Sequence, residues 1–185
     1  MKRDNRQIIY LDEVNFTKLT FKNREWSGKN TNLTVDQKEI YTGYRSVIVA
    51  MTEEQGLIYS LVCAKAIDGE TFIEFLHGLR RKIRQRPLAI FMDQLRVHKA
   101  RIVMPSYDNL NIKPVFNIGY SPEFNPIEAV FSKVKSKYSR SRLNCLVNKI
   151  GFNSDREIRL ALESVTQEHC SACVRKSFHL LIRAS

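Results

Sequence analysis

The sequence predicts an α/β protein: a mixed sheet with helices on both faces and a helical C-terminal tail. Three strand-like runs precede the first helix, which indicates a meander of neighbouring strands. Helices and short apolar strands then alternate, which indicates parallel strands covered on both sides. Hydrophobic residues make up 43% of the 185 residues, enough for one domain with a core of its own.

The first run, Ile8 to Leu11 in "RQIIYLDEVNF", reads as a buried strand leading to Asp12 and Glu13. Residues 21–43 are polar, carry the only tryptophan, Trp26, and read as a long inserted loop or irregular hairpin. "YRSVIVAMT" and "GLIYSLVCAKA" are β-branched runs separated by "EEQG", the pattern of a hairpin. "IDGETFIEFLHGLRRKIRQR" is an amphipathic helix with Phe72, Phe75, Leu76, Leu79 and Ile83 on one face. Asp68 is its N-cap and Pro87 ends it.

"PLAIFMD" is a short apolar strand that ends in Asp93. "VHKARIVMPSY" reads as a helix and "NIKPVFN" as another strand. A helix opens at "NPIE", with Asn125 as N-cap, Pro126 at the first helical position and Glu128 at the third. Ile127, Val130, Phe131 and Val134 give it an apolar face. "SDREIRLALESV" and "EHCSACVRKSFHLLIR" form the helical tail, in which Cys170, Cys173 and Val174 are expected to be buried.

The formal net charge is +11. That excess favours a polyanion as partner, nucleic acid before membrane. No apolar run approaches the length of a membrane span, no signal peptide is evident, and no membrane partner is expected. The four cysteines do not suggest a secreted disulfide framework at this length, so a reducing compartment is expected. The single C-x2-C of Cys170 and Cys173 is a weak zinc signal.

Three acids remain. Asp12 follows the first strand and Asp93 a later one. If those strands are parallel neighbours, both carboxylates emerge at one carboxyl edge of the sheet, and Glu128 enters from the start of a helix. Taken singly, Asp12 reads as a strand end, Asp93 as a helix cap and Glu128 as a capping acid. Gathered together, three carboxylates repel one another unless cations hold them, and hard oxygen ligands suit Mg²⁺ or Mn²⁺. Two such ions roughly 3.5–4 Å apart suit in-line phosphoryl transfer.

The sequence around each acid resembles the mariner superfamily of DDE transposases and its bacterial insertion-sequence relatives. "IIYLDEVNF" is similar to that family's first-aspartate strand, and "AIFMDQLRVHKA" to its second-aspartate block. "YSPEFNPIEAVFSKVK" is similar to its Tyr-Ser-Pro and Asn-Pro-Ile-Glu block, and 34 residues separate Asp93 from Glu128. The resemblance covers residues 7–180. Gln94 stands where the family commonly has Asn, and Gly119 where proline is common.

The resemblance implies an RNase H-like catalytic domain over residues 1–185, without the helix-turn-helix modules that precede it in full-length relatives. Asp12 would then bridge two metal ions, Asp93 bind one, and Glu128 the other. Asn125 and Pro126 would set the helix start that aims Glu128, and His98 would orient the Asp93 loop, a phosphate or a water. Expected partners are double-stranded DNA, as transposon ends and a TA target, and a second copy of the chain in a DNA-bound homodimer. Trp26, Lys29, Lys99, Lys133, Lys135, Lys137, Arg140 and Arg142 are candidate DNA contacts. The expected location is the nucleus of a eukaryotic host, or the cytoplasm and nucleoid of a bacterial one. Two other readings stay open: an RNase H-like nuclease that only hydrolyses, and a non-catalytic module adopted for DNA binding or assembly.

Overall fold

A computed structural model describes residues 5–16, 43–84, 86–119 and 121–184. Its centre is a five-stranded sheet built from β1 (Gln7–Phe16), β2 (Arg45–Thr52), β3 (Gly56–Cys63), β4 (Leu88–Met92) and β5 (Ile112–Phe116). The strand order is β3-β2-β1-β4-β5. β1, β2 and β3 form an antiparallel meander, and β4 and β5 add in parallel to the other side of β1. The helices are α1 (Gly69–Lys82), α2 (Met104–Asn109), α3 (Ile127–Val147), α4 (Ser154–Glu163) and α5 (Gln167–Ala184), with a 3-10 turn over Pro122–Phe124.

Side-chain alternation divides the core in two. Tyr10, Val14 and Phe16 of β1 pack with Val47, Val49 and Met51 against α3, α4 and α5. Ile9 and Leu11 face the opposite way and pack with Ile48, Ile90 and Met92 against α1 and α2. The sheet is therefore covered on both faces, as its sequence pattern predicts. Asp68 caps α1 by accepting from the Thr71 N–H at 2.9 Å. Gly78 lets α1 lie flush on β3, since a Cβ there would sit 2.3 Å from the Tyr59 hydroxyl oxygen. Cys170, Cys173 and Val174 of α5 are buried, as expected.

Three expectations need correction. β1 does not stop before Asp12 but runs on to Phe16, with Asp12 paired to Val49 of β2. The partner strand continues, so the ladder does too. The helix expected over "VHKARIVMPSY" begins only at Met104. Before it the chain makes successive turns, with His98, Lys99 and Ala100 donating to the carbonyls of Leu95, Arg96 and Val97. Finally, α3 begins at Ile127, with Pro126 just before it rather than as its first helical residue, and Asn125 keeps extended backbone angles. Its Oδ1 still accepts from the Ile127 N–H, at 3.4 Å, while Nδ2 of the same amide turns to β1.

β5 is an edge strand and carries Pro114 and the exposed Lys113. Both residue types are ordinary at a sheet edge and disfavoured inside one. No helix among the described residues is long and apolar enough to cross a membrane. Apart from Gly43, the expected insertion at 21–43, including Trp26 and Lys29, lies outside the described residues.

Candidate active site

β1 and β4 are parallel neighbours, with Tyr10 opposite Phe91. The same register carried two residues further sets Asp12 beside Asp93. Both lie at the carboxyl end of β4, where open α/β sheets place their sites. β5, parallel to β4, brings the chain back to this edge, and the 3-10 turn leads from it into α3, which adds Glu128. Asp12, Asp93 and Glu128 line one cleft of about 500 Å³, together with Gln94, Asn117, Ser121 and Asn125.

Asp12 is 8% exposed. Its Oδ1 accepts from the Glu13 N–H at 2.8 Å and its Oδ2 from Asn125 Nδ2 at 3.2 Å. Asn125 Nδ2 also reaches the Leu11 carbonyl at 3.3 Å, so one amide ties the start of α3 to β1. Burial is the main cause that pushes the Asp12 carboxyl up to about 8, and the charges of Glu128, Asp93 and Glu13 push the same way, against the Glu13 amide. Glu128 is exposed at the mouth of the cleft. Partial burial of its carboxyl and the charge of Asp93 raise its pKa, while Lys135, two turns along α3, opposes them. The three acids thus feel one another, which is the electrostatic condition for a cation site.

Asp93 behaves differently. Burial would raise its pKa, but hydrogen bonds from His98 and the Leu95 N–H hold it below the ordinary value. His98 is wholly buried and packs against Phe72, with 4.6 Å between ring centroids and the rings tilted by 40°. Its Nδ1 lies 3.0 Å from Asp93 Oδ1 and its Nε2 2.9 Å from Glu13 Oε1. Burial would lower its pKa, yet these two carboxylates raise it to about 10. Glu13 therefore belongs to the site's surroundings, and the sequence reading did not single it out. The signal was there: Ile9, Leu11 and Glu13 share one face of β1, so an acid stands in an apolar row.

Glu13, Asp93 and His98 form a compact trio whose polar atoms lie within 4.8 Å of one another. It is a poor metal site, because both ring nitrogens are engaged by the carboxylates. The donor set that fits a hard divalent cation is the trio of carboxylates in the cleft, all oxygen and mutually repelling.

Gln94 holds the cleft's other wall. Its Nε2 donates to the Asn117 carbonyl at 2.8 Å and its Oε1 accepts from Lys99 Nζ at 2.7 Å. Lys99 also lies over the Phe116 ring, at 4.7 Å. Lys99, Lys133, Lys135, Lys137 and Arg140 are exposed. Arg142 is not: it is 1% exposed, so, contrary to expectation, it offers no surface contact to DNA. Helical period explains this, since Arg142 extends the buried stripe of Phe131 and Tyr138.

A mixed sheet of this order, helices on both faces and carboxylates at the β1–β4 edge define an RNase H-like domain. The family model described as DDE superfamily endonuclease matches residues 7–147, and the chain belongs to that family. Among solved structures it is similar to the Mos1 transposase in a paired-end complex with the left transposon end, with a TM-score of 0.65 at 15% identity, over 95% of this chain and 53% of that one. It is similar to the Mos1 transposase catalytic domain with Raltegravir and Mn, with a TM-score of 0.61 at 14% identity, over 95% and 80%. A chain of the simian T-cell lymphotropic virus intasome, in complex with a PP2A regulatory subunit, matches with a TM-score of 0.60 at 15% identity, over 88% and 49%. The chain thus spans about half the length of the transposase in the paired-end complex. No curated protein sequence matches it significantly.

Proposed function

We propose that this chain is the catalytic domain of a DNA transposase, a divalent-metal-dependent enzyme that cuts phosphodiester bonds at transposon ends and joins the freed 3′-OH to target DNA. One observation carries the reading: Asp12, Asp93 and Glu128, from β1, β4 and α3, line a single cleft. Those three carboxylates would hold two ions of Mg²⁺ or Mn²⁺, Asp12 shared between them. Bound there, such ions supply Lewis acidity toward phosphoryl oxygens and lower the pKa of an attacking water.

The chain's own residues supply the positioning. Asn125 fixes Asp12 and the start of α3 together, so the first and third acids are set by one side chain. His98 fixes Asp93 from beneath β4. Lys135 lies near Glu128 and is placed to meet the DNA backbone entering the cleft, while Lys99 borders the opposite wall. Double-stranded DNA is the proposed partner, with a TA target and a homodimer in the DNA complex as the finer form. The protein would act wherever the host keeps its DNA.

The test is a plasmid assay with Mg²⁺ or Mn²⁺ that scores joined products as well as nicks. The wild type is expected to give both, and Asp93→Ala neither. Nicks without joining would leave a hydrolytic nuclease. Equal cutting by both proteins would remove the assignment of this cleft.

A further inference from the structure

Glu13 presents a puzzle. An acid on the apolar face of β1 is costly to bury, and its side chain is only 8% exposed. Its Oε1 meets His98 Nε2, and its Oε2 is buried with no hydrogen-bond partner among the described residues. Its side chain does not line the cleft, because β1 alternation puts Glu13 and Asp12 on opposite faces.

We propose that Glu13 is a positioning residue which, through His98, determines how Asp93 presents itself to the cleft. The geometry runs in three steps. Glu13 accepts from one ring nitrogen, so the His98 ring is held at both ends and cannot turn without losing two bonds. The ring is further held by a tilted contact with Phe72, and its backbone by the Tyr107 hydroxyl, which donates to the His98 carbonyl at 3.0 Å. Asp93 Oδ1 then accepts from both His98 Nδ1 and the Leu95 N–H at 3.1 Å. One Asp93 oxygen is thereby occupied, and Oδ2 is the one left for the cleft. Partners that orient a ligand in this way typically alter metal affinity by about 10–100-fold when removed.

The inference rests on the cleft's reading as a divalent-cation site, and the experiment separates the two. Mn²⁺ alone is titrated into the full chain and free Mn²⁺ is followed by electron paramagnetic resonance, well below each variant's Tm. Glu13→Ala and His98→Ala are each expected to weaken binding by about 10–100-fold. Glu13→Gln keeps an acceptor at the same reach and is expected to restore near wild-type affinity. The double variant Glu13→Ala with His98→Ala is expected to bind no more weakly than His98→Ala alone, because both act along one path. Should Glu13→Ala fail to fold, Glu13→Met keeps the length without an acceptor and carries the same expectation. Unchanged Mn²⁺ affinity in the folded Glu13 variant, whatever its Tm, would overturn the inference and leave the site intact. Multiplying losses in the double variant would overturn it as well. A wild type that binds Mn²⁺ no better than Asp12→Asn would overturn the site and the inference together.

Discussion

The two faces of the sheet meet at the same edge and treat their acids in opposite ways. On the α3 face, Asp12 and Glu128 open into a cleft, repel each other and have raised pKa values. On the α1 face, Glu13 is sealed away and finds a cationic ring. Asp93 sits where the faces meet: its carboxylate lines the cleft, and its Oδ1 is gripped from the sealed side. Two successive residues of one strand thus supply a candidate ligand and the anchor for another candidate ligand. A β-strand makes this division of labour simple, because its side chains alternate.

The sharpest way to break the comparison is at Asp12. Asp12→Asn is expected to lower metal-dependent DNA cleavage by more than the about 100-fold that loss of a supporting partner gives, as measured by plasmid nicking. The same substitution should raise the stability of the metal-free protein at alkaline pH. A folded pKa near 8 lies above the unfolded carboxylate value, so protonated Asp12 favours the folded state. That contribution is complete below about pH 4 and is lost as the pH rises through 8. Urea titrations in chelator across this range should show a decline for the wild type that Asp12→Asn lacks; parallel curves would mean that burial and neighbouring charge do not raise the Asp12 carboxyl.

Asn125→Ala tests how the open face is held together. It removes the amide that joins α3 to β1 and leaves the Leu11 carbonyl and Asp12 Oδ2 without their buried donor. The expected cost is about 1–3 kcal/mol in urea unfolding. A neutral result would show that packing alone sets the start of α3.

The lysines of α3 sharpen the comparison along one helix. Lys135 acts on Glu128, whereas Lys133 acts on Cys170, Cys173 and His169 of α5. Lys135→Ala is expected to weaken duplex binding and to reduce its salt slope by about one. Lys133→Ala should do less in the same fluorescence titration. The smallest effect belongs outside the site. Arg45 pairs with Asp155 and joins β2 to α4 at the surface. Its hydrogen bond lowers the Asp155 pKa, so the pair's stabilisation is present above the ordinary carboxylate range and fades as the pH falls through the lowered value. Asp155→Asn should cost at most about 1 kcal/mol at neutral pH and nothing in strong acid.

Much of this was legible in the sequence because period and partner agreed. β-branched runs became the meander, and "LAIFM" became a strand buried beside β1. The three acids converge because two strands are parallel, which short apolar strands and intervening helices signal well. What escaped was set by tertiary context. Asp12 resembles a strand end, yet β2 runs alongside and carries the strand past it. Asn125 resembles a cap and its Oδ1 does meet the Ile127 N–H, yet its Nδ2 also found a buried carboxylate. Arg142 sits in a basic run, and only its register with Phe131 and Tyr138 betrays its burial. Glu13 was overlooked because its partner, His98, is 85 residues away in the chain.

One quiet feature bears on behaviour at high concentration. Pro114 has no amide hydrogen to lend, and it stands midway along the outermost parallel strand, next to a charged lysine. Foreign backbones therefore find no continuous row of donors there, which disfavours zipping of one copy onto another along that margin into extended fibrils.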